Sequence, residues 1–504
     1  MNPKKSTQPL RAIFTVSLFI ALGLFAILLP IILGKLNLSI ISNTYGKEYE
    51  KFELFGFCAS IALIVVAYIE LKKRSRLSFS KVCPIILPIL VSFNFLFLIT
   101  EYSHKLYDYQ CYEVAAKAII NEANPYSNTE YIYTYPPLPA EILALLYQLI
   151  ESSFSLLHLT STDTHEQIWS VVFYFYQCSQ LMLIILAYFL CYRFARNTGL
   201  KSVPASVIIT VLLLLNNPLI RTLKWGQINL WVLNSFLLAV LLLQRYPLLS
   251  GLAIALGGHI KLYPLILLLP WGITKQWHAV MASVMSFFSI VLIQTDWGRH
   301  WQLWHQFLVF FSSGSLNSSA YTPDEFRNNS LHSFIYNFFR MTGLPAGFAK
   351  VVFVVATFAV AAWFVIRFIK REKVYFAFVK PADLQASSRW KNTFRLYGHS
   401  IDALALGLLI SPSVWEHHYL LAMPIAIWAV ATQGYDKPWQ VGIGTFLMFG
   451  LPTFDVFPFS YNRIVGLLLL LYVTSPDCFA SVARLKNKRL FLKNSTSEKC
   501  STLI

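Results

Sequence analysis

Long apolar runs constrain this chain more than any other feature of its sequence. A membrane-spanning helix needs about 20 apolar residues, and twelve nearly uncharged runs approach or exceed that length. They are 12–34, 54–69, 82–100, 167–192, 202–220, 225–244, 276–295, 348–366, 399–415, 419–433, 438–454 and 456–475. Only 13% of the residues are charged, well below the quarter typical of soluble domains. We therefore predict a single all-α domain over 1–504, a polytopic integral membrane protein with about 12–14 transmembrane helices.

Basic residues in the short connections predict the orientation of these helices, because such residues stay on the cytoplasmic side. Lysine and arginine precede the first run, and further basic clusters occupy 72–81, 367–398 and 484–504. This pattern places both termini, the loop 367–398 and the tail 484–504 in the cytoplasm. The segments 101–166 and 296–347 then become two long outer loops. A net charge of +17 can indicate a nucleic-acid partner, but here the basic clusters mainly set orientation, so we expect none.

Three segments do not fit the simple alternation of spans. Residues 137–157 are apolar enough to cross, yet crossing would turn Arg193, Arg196 and Lys201 outward. We therefore interpret 137–157 as a juxtamembrane or re-entrant helix, which is tolerated only against protein or a water-filled cavity. The two short runs 246–260 and 262–274 flank Lys261 and could form a hairpin or two half-helices.

The first outer loop carries a candidate catalytic acid. Apolar spacing predicts a helix that ends at Asn124-Pro125, and Asp108 and Tyr112, four residues apart, share one of its faces. A helix at the membrane interface with a solvated acid would explain the same pattern. Rival carboxylates stand at Glu101, Glu113 and Glu122.

Further polar residues interrupt the apolar runs at junctions that the orientation places on the outer side. They are Lys224, Gln227, Asn229, Lys261, Asn329, Glu416, His417 and His418. Ionisable groups at membrane depth are costly and indicate function by default. Each alone has a structural explanation: a snorkelling lysine, a satisfied core histidine or a helix cap. Their convergence on one face favours a site.

These residues belong to an ordered set of motifs. The set is Asp108-x-x-x-Tyr112, Asn124-Pro125-Tyr126, Tyr135-Pro136-Pro137-Leu138, Gly226-Gln227-Ile228-Asn229, Lys261-Leu262-Tyr263-Pro264, Asn329-Ser330-Leu331 and Ser411-Pro412-x-x-Trp415-Glu416-His417-His418. Over roughly 100–425 the chain resembles the GT-C superfamily of lipid-linked-sugar glycosyltransferases. Within it, the chain resembles the polyprenol-phosphate-mannose-dependent mannosyltransferases of glycosyltransferase family 87.

The resemblance implies a GT-C fold with outer juxtamembrane helices and a catalytic acid in the first outer loop, which falls on Asp108. It implies a polyprenyl-phosphate sugar donor, a glycolipid or glycan acceptor, contact with membrane lipids, and a bacterial inner membrane with the site facing the periplasm. The motif residues Tyr112, Asn124, Tyr126, Tyr135 and Glu416 join the candidate substrate-binding residues.

The chemistry of such a donor assigns roles to the candidates. Phosphate is already a leaving group, so the protein must deprotonate the acceptor hydroxyl and stabilise the departing phosphate. Asp108 is the expected general base. Lys261, His417 and His418, with Lys224, are the expected donors to phosphate, and the amides of Gln227, Asn229 and Asn329 could hold the sugar. One base and no second acid predict inversion.

We predict no obligatory metal and no cofactor. The chain has no D-x-D motif, and adjacent histidines such as His417 and His418 form a poor zinc site on a helix. Two other functions remain open. One is a pentose or aminosugar transferase of the same superfamily, and the other is a lipid or sugar transporter, which would also explain buried ionisable residues and broken helices.

Overall fold

The computed structural model describes residues 79–101, 105–156, 164–312, 328–345, 347–378, 387–451, 454 and 456–476. The apolar runs 12–34 and 54–69 and the tail 484–504 lie outside this part of the chain. The α-helices α1 to α17 are, in order, Phe79–Glu101, Tyr107–Ile120, Leu138–Leu156, Thr164–Asn197, Ser202–Leu214, Asn217–Trp225, Asn229–Leu242, Pro247–Ile260, Leu268–Ile273, Trp277–Gln294, Gln302–Ser312, Leu331–Thr342, Gly347–Phe378, Ser387–Ile410, Met423–Gln433, Pro438–Thr445 and Asn462–Val473.

Helices account for nearly all regular structure in the described residues, because a chain in lipid must satisfy its backbone hydrogen bonds within each segment. Three 3-10 helices, Tyr263–Leu267, Glu416–Ala422 and Phe459–Tyr461, join α-helices. A short π-helix, Phe446–Gly450, follows α16. The one isolated β-bridge in these residues pairs Asn328 with Trp415. The predicted all-α polytopic class is confirmed.

Three helices of the described part are long and apolar enough to cross a membrane: α4, α10 and α13. A fourth span is possible if α5 and α6 count as one helix bent by 51°. The bend has a local cause, since Pro218 begins the second helix and the Asn216 side chain accepts a hydrogen bond from the Leu219 N–H at 2.9 Å. The predicted total of about 12–14 spans remains a prediction.

Within 137–157 the structure describes helix α3, Leu138–Leu156, which is not among the helices apolar enough to span. Its buried face includes Leu143, Ala144 and Tyr147. Glu141 in its first turn accepts a hydrogen bond from the Gln294 amide at the end of α10. The interpretation of this segment as a juxtamembrane helix stays a prediction.

The predicted cytoplasmic connection 367–398 contains the ends of two helices, and its cytoplasmic placement stays a prediction. Helix α13 continues to Phe378 and α14 begins at Ser387, so most of the basic segment is helical. The reason is charge pairing: Arg367 and Arg371 each contact the Asp402 carboxylate at 2.7 Å. Hydropathy alone reads such arginines as the end of a span, whereas a buried acid on the neighbouring helix lets the helix continue.

The two runs around Lys261 are separate half-helices. Helix α8 ends at Ile260, and the 3-10 helix Tyr263–Leu267 leads directly into α9. Lys261 itself has extended backbone, with φ −160° and ψ 134°. The Lys261 side chain therefore projects from the break between two helices, where it can contact other segments.

Candidate active site

Asp108 stands in the first turn of α2, within the segment 101–166 that was predicted to be an outer loop. A carboxylate there is favoured by the positive end of the helix dipole. Burial nevertheless raises the pKa of the Asp108 carboxyl to about 6, while a hydrogen bond with Gln227 and the charge of Lys261 act to lower it. Asp108 is thus poised near neutrality, as a general base requires.

Gly226 brings Gln227 to Asp108. It ends α6 with φ +68°, a conformation that favours glycine. A Cβ atom added there would lie 2.8 Å from the Cβ of Tyr109, the residue that follows Asp108. The Tyr176 hydroxyl donates to the Gly226 carbonyl at 2.6 Å and fixes the turn. The backbone of the Gly226-Gln227 motif is therefore pressed against the start of α2.

Two tyrosines of the first outer segment complete this side of the site. The Tyr135 hydroxyl donates to the Gln227 Oε1 at 3.0 Å. The Tyr112 ring packs edge-on against Tyr135, with centroids 5.2 Å apart. The Lys261 ammonium lies 5.3 Å from the centroid of the same Tyr135 ring. Tyr135 thus lies between the Asp108–Gln227 pair and the cation.

Lys261 is the point where four motifs meet. Its Nζ lies 3.1 Å from the Asn229 Oδ1 and 2.7 Å from the His418 Nε2. The Asn229 amide nitrogen in turn donates to the His417 carbonyl at 3.2 Å. The predicted convergence of Asp108, Gln227, Asn229, Lys261, His417 and His418 is therefore present in the structure. A cation, an imidazole and amides beside a partly buried carboxylate can receive an anionic leaving group.

The other predicted binding residues hold the loops in shape. The Asn124 Oδ1 accepts from the Tyr126 N–H at 2.9 Å, and the Tyr126 hydroxyl donates to the Tyr135 carbonyl at 3.0 Å. The Asn329 N–H donates to the Val414 carbonyl at 2.8 Å. These contacts give Asn124, Tyr126 and Asn329 roles in positioning Tyr135 and the segment before Glu416.

Glu416 is enclosed by two arginines that the sequence reasoning missed. Its carboxylate lies 2.9 Å from Arg463 and 3.7 Å from Arg221, and all three side chains are buried. Arg463 falls inside the apolar run 456–475, and an ionisable residue in such a run was the signal that could have revealed it. The carboxylate of Glu416 therefore joins α6 and α17 to the histidine motif.

Lys224 lies beside the Gly226 turn. It lines a cavity with Tyr109, Tyr176, Gln177 and Gln180, on the α4 side of the Gly226 turn. Its ammonium lies 5.8 Å from the centroid of the Trp225 ring. Lys224 is thus adjacent to the turn but outside the group around Lys261.

No three His, Cys, Asp or Glu side chains come together as a metal site among the residues that the structure describes. The site is instead a carboxylate on one side and a lysine with an imidazole on the other.

Comparison with known proteins gives two matches. Residues 133–380, about half of the chain, match the profile of glycosyltransferase family 87. A polyprenol-phosphate-mannose-dependent alpha-(1-2)-phosphatidylinositol pentamannoside mannosyltransferase of Mycobacterium tuberculosis (strain CDC 1551 / Oshkosh) is 24% identical over 314 residues. The aligned region covers 61% of this chain and 60% of that relative. No solved structure matches significantly.

Proposed function

The chain is a member of glycosyltransferase family 87, and from that premise we propose that it is an inverting mannosyltransferase. The donor is a polyprenyl-phosphate mannose, and the acceptor is a lipid-linked or glycan hydroxyl. The similar mycobacterial protein depends on polyprenol-phosphate-mannose by name, and the site described above has the groups that such a donor requires.

The proposed reaction is a single displacement. The acceptor hydroxyl oxygen forms a bond to the anomeric carbon as the bond from that carbon to the phosphate oxygen breaks. The acceptor proton passes to the Asp108 carboxylate, and the electron pair leaves with the phosphate. Lys261 and His418 stabilise the charge on the departing phosphate, with Asn229 holding Lys261 in place.

The observation that carries the proposal is the pairing of one carboxylate with one cationic group across Tyr135. Glu113, a rival acid on the same helix, is bound by Lys105 and Lys117 at 2.8 Å each. Glu122, in the turn after that helix, is exposed. Asp108 therefore has the surroundings of a base, and its neighbours on α2 do not.

An assay of Asp108→Asn tests the assignment. The full chain, purified in lipid nanodiscs, would receive polyprenyl-phosphate mannose and a lipid acceptor fraction. We expect Asp108→Asn to lose transfer while keeping the wild-type unfolding temperature. Glu130→Gln, which removes an exposed carboxylate from the same outer segment, is the matched control and should keep full activity. Substantial transfer by Asp108→Asn would refute the base assignment.

The sugar is tested separately in the same assay, with pentose and aminosugar derivatives of the same polyprenyl phosphate offered in competition. Preference for either derivative over mannose would retain the transferase but overturn the proposed sugar. Uptake of a labelled donor into vesicles, unaffected by Asp108→Asn, would favour a transporter instead.

We further propose that the site faces the outside of a bacterial inner membrane and that both termini are cytoplasmic. Cysteines introduced at Ser127 and Ser387 should react with impermeant reagents from opposite sides. Reaction from one side would overturn this topology.

The proposed reaction needs no metal, since a phosphate ester is the leaving group and Lys261 is positioned beside the base. Incubation with EDTA should leave the transfer rate unchanged. A loss that is restored by added divalent cation would contradict this part of the proposal.

A further inference from the structure

A polar cavity of about 320 Å³ lies where α8 and α10 begin, at the other end of α8 from Lys261. At 1.5 Å per residue, the 14-residue helix separates the two sites by about 20 Å. We call it the Lys275 pocket. Its polar lining residues are Gln244, Lys275, Gln276, His278 and Asn392. The cavity is therefore distinct from the proposed catalytic site.

The Lys275 pocket has the electrostatics of an anion site. Lys275 and His278 line it, and none of its lining residues is an aspartate or glutamate. The acid nearest to Asn392 in these contacts is Glu372, which is paired with Arg395, the residue that donates to the Asn392 Oδ1. The N-termini of α8 and α10 also lie here, and neither has a side-chain cap. The first amides of a helix have no intrahelical acceptor and favour anions.

Two details indicate that the residues around the start of α8 and α10 present hydrogen-bond donors to the pocket. Lys275 adopts φ +63°, a conformation uncommon for a residue other than glycine. The Thr393 hydroxyl donates to the Gln244 Oε1. This contact fixes the orientation of the Gln244 amide and leaves its nitrogen to donate elsewhere. That nitrogen is buried and has no hydrogen-bond partner within the described chain. A ligand oxygen would satisfy it.

The surroundings of the pocket identify the source of the anion. Helix α10 is apolar enough to span a membrane, and only 17% of its apolar window is buried in the protein. Trp277, Met281 and Met285 follow one another at four-residue spacing and are 56%, 55% and 62% exposed. This apolar stripe begins at the pocket and runs along α10, a path suited to an acyl chain.

We propose that the Lys275 pocket binds the phosphate headgroup of an anionic phospholipid whose acyl chain lies along Trp277, Met281 and Met285. Lys275 supplies the charge, His278 and Gln244 supply hydrogen-bond donors, and the helix N-termini supply backbone amides. The proposal rests on the membrane fold alone and is independent of the transferase activity.

Spin-labelled lipids test this proposal on the full chain in phosphatidylcholine vesicles. We expect labelled phosphatidylglycerol to associate more strongly than labelled phosphatidylcholine. Lys275→Asn removes the charge with a residue that tolerates positive φ, and should weaken the preference about fivefold. His278→Gln should weaken it less. Lys350→Gln, an exposed lysine outside the pocket, is the control and should leave the preference unchanged.

Titration of the detergent-solubilised chain with inorganic phosphate distinguishes the two sources of the anion. Stabilisation by phosphate alone, without preference for phosphatidylglycerol, would overturn the lipid assignment in favour of a free anion. Equal association of both lipids with the wild-type chain, or an equal loss in Lys350→Gln, would also refute the proposal.

Discussion

The carboxylates of the first outer segment have different surroundings, and these surroundings decide their chemistry. Glu113 neutralises Lys105 and Lys117, whereas Glu122 and Glu130 face solvent. Asp108 is partly buried beside Gln227, and its pKa is raised by that burial. Of these four, Asp108 is the one whose carboxyl lies beside Gln227 and the Lys261 cation. The single-residue predictions therefore concern Asp108 and the groups that touch it.

The pH dependence of transfer should report the Asp108 carboxyl. A general base acts in its deprotonated form, and the pKa of Asp108 is about 6. We expect kcat/KM to fall about tenfold per pH unit well below 6. It should fall again above about pH 7, because burial lowers the pKa of Lys261 to about 7 and the lysine then loses the charge that stabilises the phosphate. Gln227→Met removes a hydrogen bond that lowers the pKa of Asp108, so the acid limb should move to higher pH. An unchanged acid limb would show that Gln227 does not influence the pKa of Asp108.

Replacement of Lys261 and of Lys224 should have unequal effects. Lys261→Met removes the cation beside His418 and Asn229, and we expect kcat/KM to fall by about 10²–10³-fold. Lys224→Met changes a residue that lines the separate cavity near Tyr176 and should cost less than about tenfold. Equal losses in the donor-saturated rate would contradict the placement of the phosphate at Lys261.

At the scale of helices, the site depends on how closely α6 approaches α2. The contact is made by Gly226, which has both a positive φ and the Cβ of Tyr109 directly opposite. The helix-ending glycine in Gly226-Gln227-Ile228-Asn229 thus fixes the distance between Gln227 and Asp108. The need for glycine at position 226 arises from the packing of α6 against α2 and is not evident from the sequence of either helix alone.

Gly226→Ala should therefore cost more than the backbone conformation alone. Gly343 ends α12 with φ +72° and has no atom within 4 Å of an added Cβ, so Gly343→Ala carries only the conformational penalty. That penalty is about 1 kcal/mol. We expect Gly226→Ala to lower the unfolding temperature further and to reduce transfer sharply. Matching effects of the two alanines on unfolding and activity would show that the close contact is unimportant.

The sequence singled out Asp108, Lys261, Gln227 and Asn229, which the structure brings together, because ionisable residues at membrane depth are rare and their motifs are ordered. It did not predict that Glu416 pairs with Arg221 and Arg463, since those residues are 195 and 47 positions away in the chain. The apolar run ends at residue 366, whereas α13 continues to Phe378, because Arg367 and Arg371 pair with Asp402 on another helix. The sequence did not show which residues pair with one another in the tertiary structure.

At the scale of the whole molecule, two buried ion clusters join segments that are distant in the chain. Arg221, Glu416 and Arg463 connect α6, a 3-10 helix and α17. Arg367, Arg371 and Asp402 connect α13 to α14, and Arg367 also donates to the Leu471 carbonyl of α17 at 2.7 Å. Helix α17 is thus held by an ion pair in the first cluster and by a hydrogen bond from the second.

Asp402→Asn should destabilise the whole fold. Removing one partner of a buried pair leaves the arginines unneutralised and costs about 3–5 kcal/mol. Asp296→Asn breaks an exposed pair with Arg299 and should cost less than about 1 kcal/mol. Unfolding of both variants in nanodiscs would measure the difference. Similar stabilities would mean that the buried cluster contributes little.

The β-bridge between Asn328 and Trp415 has a consequence for exchanging parts between related enzymes. The Trp415 N–H donates to the His418 Nδ1 at 3.2 Å, while the Asn328 Oδ1 accepts from the Val414 N–H at 3.2 Å. The end of the second outer segment is therefore tied to the imidazole beside Lys261. In a chimaera, segments 328–330 and 411–418 should be exchanged together. If either were exchanged alone, contacts between segments of two different proteins would form at the site.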